Sequence, residues 1–252
     1  MSELSASDYV AQQDALEREA KELMPWDPMK CTYSMGSLRQ LVFACLSCNS
    51  IGICYSCSIQ CHSSCDLVEL FSKRHFTCDC GTERDTMNGC CKLRRNTSPD
   101  IPSFSNQYGQ NFKGLFCHCH KCYDPDSNSV MLQCVLGVEC NEDWYHDHCI
   151  LGCEEPGDAT NASSGDGERQ LLGFPSLDSF DAYICWKCVS HYQNYFSRLI
   201  SHTLSDQLIS HKIPHLQSST VEGNPEPIQA TTGMKRKLQE EHSYSIFLSD
   251  GY

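Results

Sequence analysis

The sequence predicts a chain of small metal-stabilised modules with little regular secondary structure. Of its 252 residues, 20 are cysteines, and all of them lie between Cys31 and Cys188. The apolar residues between these cysteines are too few to close a hydrophobic core, so covalent or metal bonds must supply the missing stability. The first 30 and the last 64 residues contain no cysteine. We therefore expect residues 31–188 to be the ordered part of the chain.

The surroundings of the cysteines favour zinc over disulfide bonds. The first 20 residues have neither the basic region nor the apolar region of a secretory signal. No stretch reaches the ~18–20 apolar residues of a membrane span. Both observations favour a reducing compartment, where thiolates bind metal more often than they form disulfides. Paired CxxC and HxxC spacings also indicate zinc, because each presents two ligands on one turn.

The net charge of −13 argues against direct binding of nucleic acid, because contacts with phosphates usually need a basic face. An acidic chain is better suited to a basic partner, such as a Lys/Arg-rich peptide. The same charge could also serve only to keep the protein soluble. We expect no nucleic-acid partner and no membrane.

Residues 1–29 are predicted to be an N-terminal helix or tail. Ser7 can cap a helix over residues 7–24, and Pro25 and Pro28 would end it. We interpret this segment as a docking or frayed helix.

Residues 30–95 are predicted to form the first zinc module. A CxxC knuckle at 45–48 and an HxxC knuckle at 62–65 can together fill one tetrahedral site. The CxC pair at 78–80 suits two further ions that lie close together and share a bridging thiolate. Two tetrahedral ions need eight bonds to their ligands. Six cysteines supply eight bonds if two of them bridge both ions, and seven cysteines do so if one of them bridges.

This module resembles the UBR box, whose pattern runs Cys, CxxC, CxxCxxxC, HxxH, CDCG and a closing Cys. Cys65 stands where the family usually has His, and either residue ligates zinc. Cys91 is preferred to Cys90 as the closing ligand, because Lys-Leu-Arg follows it as in the family. Many UBR boxes have a further His where this chain has Arg94, so Cys54 or Cys90 could supply that bond. The predicted ligands are Cys31, Cys45, Cys48, Cys57, Cys61, His62, Cys65, Cys78, Cys80 and Cys91, with Cys54 and Cys90 as possible ligands.

Residues 96–115 are predicted to be a linker, because they contain two prolines and scattered Ser and Asn. The linker ends in a less polar run that we expect to pack. The stretch NQYGQNFKGLFC at 106–117 is similar to a bridge typical of one group of UBR-box proteins.

Residues 116–190 contain eight further ligands in the order four Cys, one His, three Cys. This order resembles a PHD finger, in which the first and third pairs hold one zinc and the second and fourth hold another. A RING finger has His fourth and Cys fifth, so we prefer the PHD finger. With three ions in the first module, about five zinc ions are expected. The predicted ligands are Cys117, Cys119, His146 and Cys149 for one ion, and Cys134, Cys140, Cys185 and Cys188 for the other.

The rest of the chain carries weaker signals. Residues 154–180, rich in Gly, Ser and Asp in their first half, are predicted to be a flexible insert in the finger. Residues 191–212 are predicted to be a helix, and residues 213–252 a disordered polar tail. The basic run at 235–237 could be a nuclear localisation signal, so we expect the protein in the nucleus, the cytoplasm or both.

The order of UBR box, bridge and PHD finger resembles the UBR-box plus PHD-finger family of E3 ubiquitin ligases, the seventh class of UBR-box proteins. The resemblance implies an E3 ubiquitin-protein ligase that acts as a scaffold for a substrate and a ubiquitin-conjugating E2 enzyme. No catalytic residue is then expected on this chain, because the reactive thioester belongs to the E2. The alternative is a non-enzymatic zinc-finger reader or adaptor of histone tails or other basic peptides.

The resemblance also implies a peptide site in the PHD finger. Phe116, Met131 and Trp144 match positions that line a cage for methylated lysine, and Tyr123 could add a wall. The alternative is that Trp144 only packs the finger.

A second peptide site is implied in the UBR box. Members that bind basic N-terminal residues, called N-degrons, use three acidic positions. This chain keeps Asp79, has Glu83 next to another of these positions, and has Ile51 and Thr82 in place of the other two acids. We predict weak or absent binding of ordinary basic N-degrons, because each lost charge partner weakens binding substantially. The alternative is that Asp79, Glu83 and Asp66 rebuild the acidic pocket from different positions.

Overall fold

The computed structural model describes residues 27–87, 89–127, 129–153, 171–215 and 243–249. The helix predicted at 7–24 and the basic run at 235–237 lie outside these residues. The chain divides into two compact units, Met1–Gly114 and Leu115–Tyr252. Within the described ranges, no helix is long and apolar enough to cross a bilayer.

The first unit is built on an antiparallel sheet with strand order β2-β1-β3. A short helix, α1, follows β2 directly, and 3-10 turns precede β1 and follow it. Cysteines stand at the ends of these elements, so the sheet brings ligands from distant parts of the chain together. The strands are β1 (Leu38–Cys45), β2 (Ile51–Cys54) and β3 (Leu67–Phe76), the helix is α1 (Tyr55–Gln60), and the turns are Thr32–Met35 and Leu46–Cys48.

The chain reverses sharply between β1 and β2. Asn49 and Ser50 adopt positive φ angles of 59° and 55°, a left-handed conformation that short polar residues tolerate better than most. The reversal pairs Cys45 with Ile51 and Val42 with Cys54 across the two strands. Both cysteines of the first knuckle are thereby buried at one end of the sheet.

The predicted linker packs on the first unit, which continues to Gly114. Phe112 is buried and stacks on Phe76 with ring centroids 5.6 Å apart. A Cβ atom on Gly52 would lie 2.2 Å from the Phe76 ring, so glycine is required where these rings cross β2. Asn106 donates to the carbonyl of Thr77 and accepts from its N–H. These contacts extend the unit beyond the predicted boundary at residue 95.

The second unit contains two short hairpins and a three-stranded sheet with order β8-β10-β9. Five short helices and turns connect them. Buried aromatic residues between the strands and the zinc ligands form its core. The strands are β4 (Leu115–Phe116), β5 (Lys121–Cys122), β6 (Met131–Gln133), β7 (Trp144–His146), β8 (Ala182–Ile184), β9 (Ile209–Pro214) and β10 (Tyr244–Leu248), and the helices are α2 (Asp147–Leu151), α3 (Trp186–His191), α4 (Gln193–Ile200) and α5 (Ser205–Leu208), with a 3-10 turn at Leu177–Ser179.

The helix predicted over residues 191–212 is wrong in extent. Tyr192, with φ −107° and ψ 33°, separates α3 from α4. The chain becomes extended again at Ile209, where β9 begins. The β-branched residues Ile209 and Ile213 suit a strand, and pairing of β9 with β10 makes that conformation available.

Of two segments predicted to be disordered or flexible, one forms a strand of this sheet and the other packs against it. Residues 244–248 of the predicted tail form β10, and Ile246 and Phe247 are fully buried. In the predicted insert, Phe174 and Phe180 pack on Phe247 with centroid distances of 5.8 Å and 4.8 Å. A short apolar run has no stability as an isolated strand, so its order depends on partner strands that composition does not reveal.

Candidate metal centre

Cys and His side chains converge in several groups within the described part of the chain, and in five of these groups four ligand atoms lie within 4.8 Å of one another. None of the 20 cysteines forms a disulfide bond. Quartets of sulfur and imidazole nitrogen suit tetrahedral zinc, so the prediction of about five zinc ions is confirmed. The quartets are Cys31, Cys54, Cys57 and Cys78; Cys57, Cys61, Cys80 and Cys91; Cys45, Cys48, His62 and Cys65; Cys117, Cys119, His146 and Cys149; and Cys134, Cys140, Cys185 and Cys188.

Two of the quartets share Cys57, and together they form what we call the two-zinc cluster. Cys57 lies on α1 and Cys61 follows at its C-terminal end. Residues four apart face the same side of a helix, so α1 directs both thiols toward the cluster. The Cys57 and Cys91 sulfurs lie 3.7 Å apart. Seven cysteines with one bridge therefore fit the two ions.

The UBR-box pattern left Cys54 and Cys90 open as possible ligands. Cys54 belongs to the first quartet of the two-zinc cluster, and the predicted ligand Cys61 belongs to the second. Cys90 is exposed and lies outside the five quartets. Arg94 does not replace a ligand, and its guanidinium contacts the cluster from outside.

The third quartet of the first unit is supported by a buried carboxylate. Nδ1 of His62 faces Cys48 and Cys65, at 3.5 Å and 3.8 Å from their sulfurs. Nε2 of the same ring lies 3.8 Å from Asp85 Oδ2, which also accepts from the Gly81 N–H at 2.9 Å. Burial lowers the pKa of His62, which favours the neutral ring that zinc needs. A carboxylate behind a ligating imidazole orients the ring, and nothing in the sequence pattern marked Asp85 for this role.

The quartets of the second unit interleave as the PHD-finger order predicts. His146 ends β7 and Cys149 lies on α2, so both reach the Cys117 pair. In the other quartet, the Cys185 N–H donates to the Cys134 sulfur at 3.3 Å. Backbone N–H groups directed at a thiolate stabilise its charge. Interleaving ties residues far apart in the chain, so the metal contributes folding energy that the small core lacks.

The carboxylate of Asp79 is enclosed by its own unit. Its Oδ2 accepts from Asn106 Nδ2 at 2.9 Å and from the hydroxyl of Tyr108 through a short hydrogen bond. Its Oδ1 lies 3.4 Å from the Thr82 hydroxyl, which donates to it. The Arg84 guanidinium covers the Tyr108 ring at 4.7 Å and approaches Asp79 to 3.9 Å. Burial raises the pKa of Asp79, and the hydrogen bonds from Tyr108 and Asn106 oppose that rise.

This enclosure changes the predicted peptide site of the UBR box. Asp79 is 0% exposed, so its predicted contact with a peptide is not available in this structure. Ile51 and Thr82 are also buried. Glu83 is exposed, and its N–H donates to the carbonyl of Asp100. Among the two predicted peptide-binding acids, only Glu83 therefore presents its side chain to solvent.

The predicted cage of the PHD finger is partly wrong. Phe116 is 1% exposed and belongs to the core, and its ring lies edge-on to that of Tyr123 with ring centroids 6.4 Å apart. Tyr123 itself is 47% exposed. Met131 and Trp144 are half-buried on β6 and β7, where Met131 pairs with His146 and Trp144 with Gln133. Directly paired residues share a sheet face, so Trp144 lies on the face of Gln133. Met131 is two residues from Gln133 on β6 and lies on that face as well.

Two family models match the chain. The model described as "Putative zinc finger in N-recognin (UBR box)" matches residues 30–94, and the "UBR7-like PHD finger" matches residues 111–197. No solved structure matches the chain.

Three relatives show how far the similarity extends. Protein mlo2 of Schizosaccharomyces pombe is 41% identical over 199 residues, covering 77% of this chain and 54% of that protein. The "Putative E3 ubiquitin-protein ligase UBR7" of Mus musculus is 39% identical over 153 residues, covering 57% and 34%. The "Putative E3 ubiquitin-protein ligase ubr7" of Dictyostelium discoideum is 30% identical over 242 residues, covering 74% and 48%.

A UBR-box zinc module followed by a cross-braced PHD finger defines a class of two-module zinc proteins. The chain belongs to the UBR-box plus PHD-finger family, in which the mouse and Dictyostelium relatives carry the name "Putative E3 ubiquitin-protein ligase". The chain spans between 34% and 54% of the length of these three relatives.

Proposed function

We propose that this chain is the substrate-recognition part of an E3 ubiquitin ligase. The observation that supports this most directly is the succession of a UBR box and a UBR7-like PHD finger in one chain, shared with relatives named as E3 ligases. The UBR box would bind a basic segment of the substrate, and a surface of the PHD finger or a partner protein would bind the E2 enzyme.

In this proposal the chain supplies positioning and no covalent chemistry. A substrate lysine attacks the thioester of the E2, an isopeptide bond forms, and the E2 thiol leaves. Holding the two reactants together is itself a large source of acceleration. The zinc clusters serve the mechanism by keeping the binding surfaces rigid.

Reconstitution with purified components tests the ligase. Zinc-loaded chain is incubated with E1, ATP, ubiquitin and a panel of E2 enzymes, and we expect ubiquitin chains or modified substrate with at least one E2. The matched control is Cys57→Ser, which removes the thiol shared by two quartets and should abolish the product. No product with any E2 would contradict the proposal.

We further infer that this UBR box binds ordinary basic N-degrons weakly. The enclosed Asp79 and the buried Ile51 and Thr82 support this inference. Calorimetry with a peptide that starts with Arg, and with the same peptide acetylated at its N-terminus, provides the test. Micromolar binding that acetylation abolishes, and that Asp79→Ala removes without loss of zinc, would overturn it.

A second candidate function is a reader of histone tails or other basic peptides. It is favoured by the half-buried Met131 and Trp144 on one sheet face. A cation over an aromatic face gains roughly 0.5–2 kcal/mol. Binding to arrays of methylated and unmethylated histone peptides should weaken in Trp144→Ala and persist in Tyr195→Ala, which changes an exposed ring on α4. Unchanged binding by a folded, zinc-loaded Trp144→Ala would exclude this surface.

We also propose a localisation for the protein in the cell. A protein that modifies or reads basic peptides such as histone tails would work in the nucleus, the cytoplasm or both. Imaging of a fluorescent fusion, with and without Lys235, Arg236 and Lys237, tests whether that basic run directs nuclear import.

A further inference from the structure

Arg94 is held against the two-zinc cluster by three hydrogen bonds. Its Nη1 donates to the sulfur of Cys31 at 2.8 Å. Its Nη2 donates to the carbonyl of Cys80 at 2.8 Å and to Asp100 Oδ2 at 2.7 Å. The guanidinium carbon lies 4.2 Å over the ring of Tyr33. The side chain is only 14% exposed, so these contacts are made away from bulk water.

The charge of the cluster explains why a cation is placed there. Seven thiolates and two Zn²⁺ ions leave a net charge of about −3. The cysteines of the cluster are buried, from 0% exposed for Cys57, Cys78, Cys80 and Cys91 to 8% for Cys61. Burying uncompensated charge is costly. A guanidinium keeps its proton at any physiological pH, so its compensation is permanent.

The hydrogen bonds of Arg94 also connect separate segments that carry ligands. Cys31 precedes the first 3-10 turn, far from Cys80 in sequence. Asp100, the third partner of Arg94, is held by two backbone hydrogen bonds. Its N–H donates to the carbonyl of Gly81, and its carbonyl accepts from the N–H of Glu83. Arg94 thus joins the Cys31 thiol to the loop that holds Cys80.

We propose that Arg94 is the counter-cation of the two-zinc cluster and sets how tightly its two ions are held. The guanidinium compensates the buried negative charge of the cluster, and its hydrogen bond to the Cys31 sulfur fixes the position of that ligand. This is a positioning role, because Arg94 acts on the metal through Cys31. The proposal is independent of ligase activity and of peptide binding.

The test compares Arg94→Met with Arg95→Gln in the full zinc-loaded chain. Arg95 is the exposed neighbour, so its loss changes the net charge equally. Zinc transfer to a competing chelator is followed with a colorimetric indicator. In Arg94→Met, two of about five ions should leave at roughly 10–100-fold lower chelator concentration, and the other three should behave as in the unchanged protein. Arg95→Gln should release all ions as the unchanged protein does.

Arg94→Lys keeps the charge and is a second variant in case Arg94→Met does not fold. An ammonium lacks the planar fork with which Arg94 reaches its three acceptors. Arg94→Lys should therefore release the same two ions at a lower chelator concentration than the unchanged protein, but at a higher one than Arg94→Met. With cobalt in place of zinc, the thiolate-to-metal absorption of Arg94→Lys should move to longer wavelength, because a hydrogen bond to sulfur is weakened. Zinc retention and absorption equal to those of Arg95→Gln would overturn the proposal. Equal weakening of all the ions would also overturn it.

Discussion

Cys57 and Cys61 lie one helical turn apart, and this spacing lets the short helix α1 serve two zinc ions. Cys57 contributes to both quartets, whereas Cys48 contributes to one. Single residues therefore differ in how many ions depend on them. The zinc content of cysteine variants should report that difference directly.

Substitution of the bridging cysteine should remove two ions. We expect about three zinc ions to remain in Cys57→Ser, about four in Cys48→Ser and about five in Cys90→Ser. Cys90 is the matched control, because it is exposed and outside the five quartets. Elemental analysis of protein purified under reducing conditions is the measurement. Four ions in Cys57→Ser would show that the thiol is not shared.

The buried carboxylate of Asp79 should matter for stability. In Asp79→Ala the donors of Asn106 and Tyr108 lose their acceptor, and a buried unsatisfied group costs about 1–3 kcal/mol. Chemical denaturation of the zinc-loaded protein measures the change. Glu83→Ala is the control, since exposed substitutions usually stay within about 0.5 kcal/mol. Equal stability of the two variants would show that the Asp79 network contributes nothing.

At the scale of elements, β10 completes the second unit. It pairs with β8 on one side and β9 on the other. The Tyr183 hydroxyl on β8 lies 3.3 Å from the Ser245 hydroxyl on β10. Because β8 leads directly into Cys185, the position of this zinc ligand depends on a strand distant in sequence.

Truncation of the central side chain of β10 should therefore destabilise the second unit. Phe247 is 0% exposed and contacts Phe174, Phe180 and Tyr183. Replacing a buried Phe by Ala typically costs about 3–5 kcal/mol. Denaturation of Phe247→Ala should show this loss, while Ser249→Ala, just after the strand, should unfold like the unchanged protein. If Phe247→Ala has the same midpoint as Ser249→Ala, β10 is not part of the folded unit.

At the scale of the whole molecule, zinc and protons compete for the same thiols. Burial raises the pKa of Cys45 and of Cys48, so these groups hold protons more strongly than free cysteine when no metal is bound. Zinc must displace those protons. Affinity for zinc therefore falls as the pH falls.

Acidification and chelation should both unfold the two units. We expect zinc release and loss of near-UV circular dichroism when the pH is lowered from about 7.5 to about 4.5. A strong chelator at neutral pH should give the same endpoint. Adding zinc at neutral pH under reducing conditions is the control and should restore the signal. A chelated protein that keeps its circular dichroism and its protection from protease would contradict a metal-dependent fold.

The sequence by itself determined the class of this protein. Ligand spacing and order predict two zinc modules, about five ions and the family, and each of these is confirmed. Such features are local, because each knuckle places its two ligands within one turn of chain. Local spacing therefore suffices to recognise the modules before any tertiary contact is known.

The tertiary structure alone decided which residues complete each site. Cys54 belongs to a quartet, whereas Cys90 is exposed and outside the five quartets, because the junction of β2 and α1 brings the Cys54 thiol close to Cys57 and Cys78. Enclosure of Asp79 follows from the packing of residues 106–112 on the first sheet. The strand β10 is ordered because β8 and β9 flank it. Each of these outcomes depends on contacts between distant segments, which neither composition nor periodicity encodes.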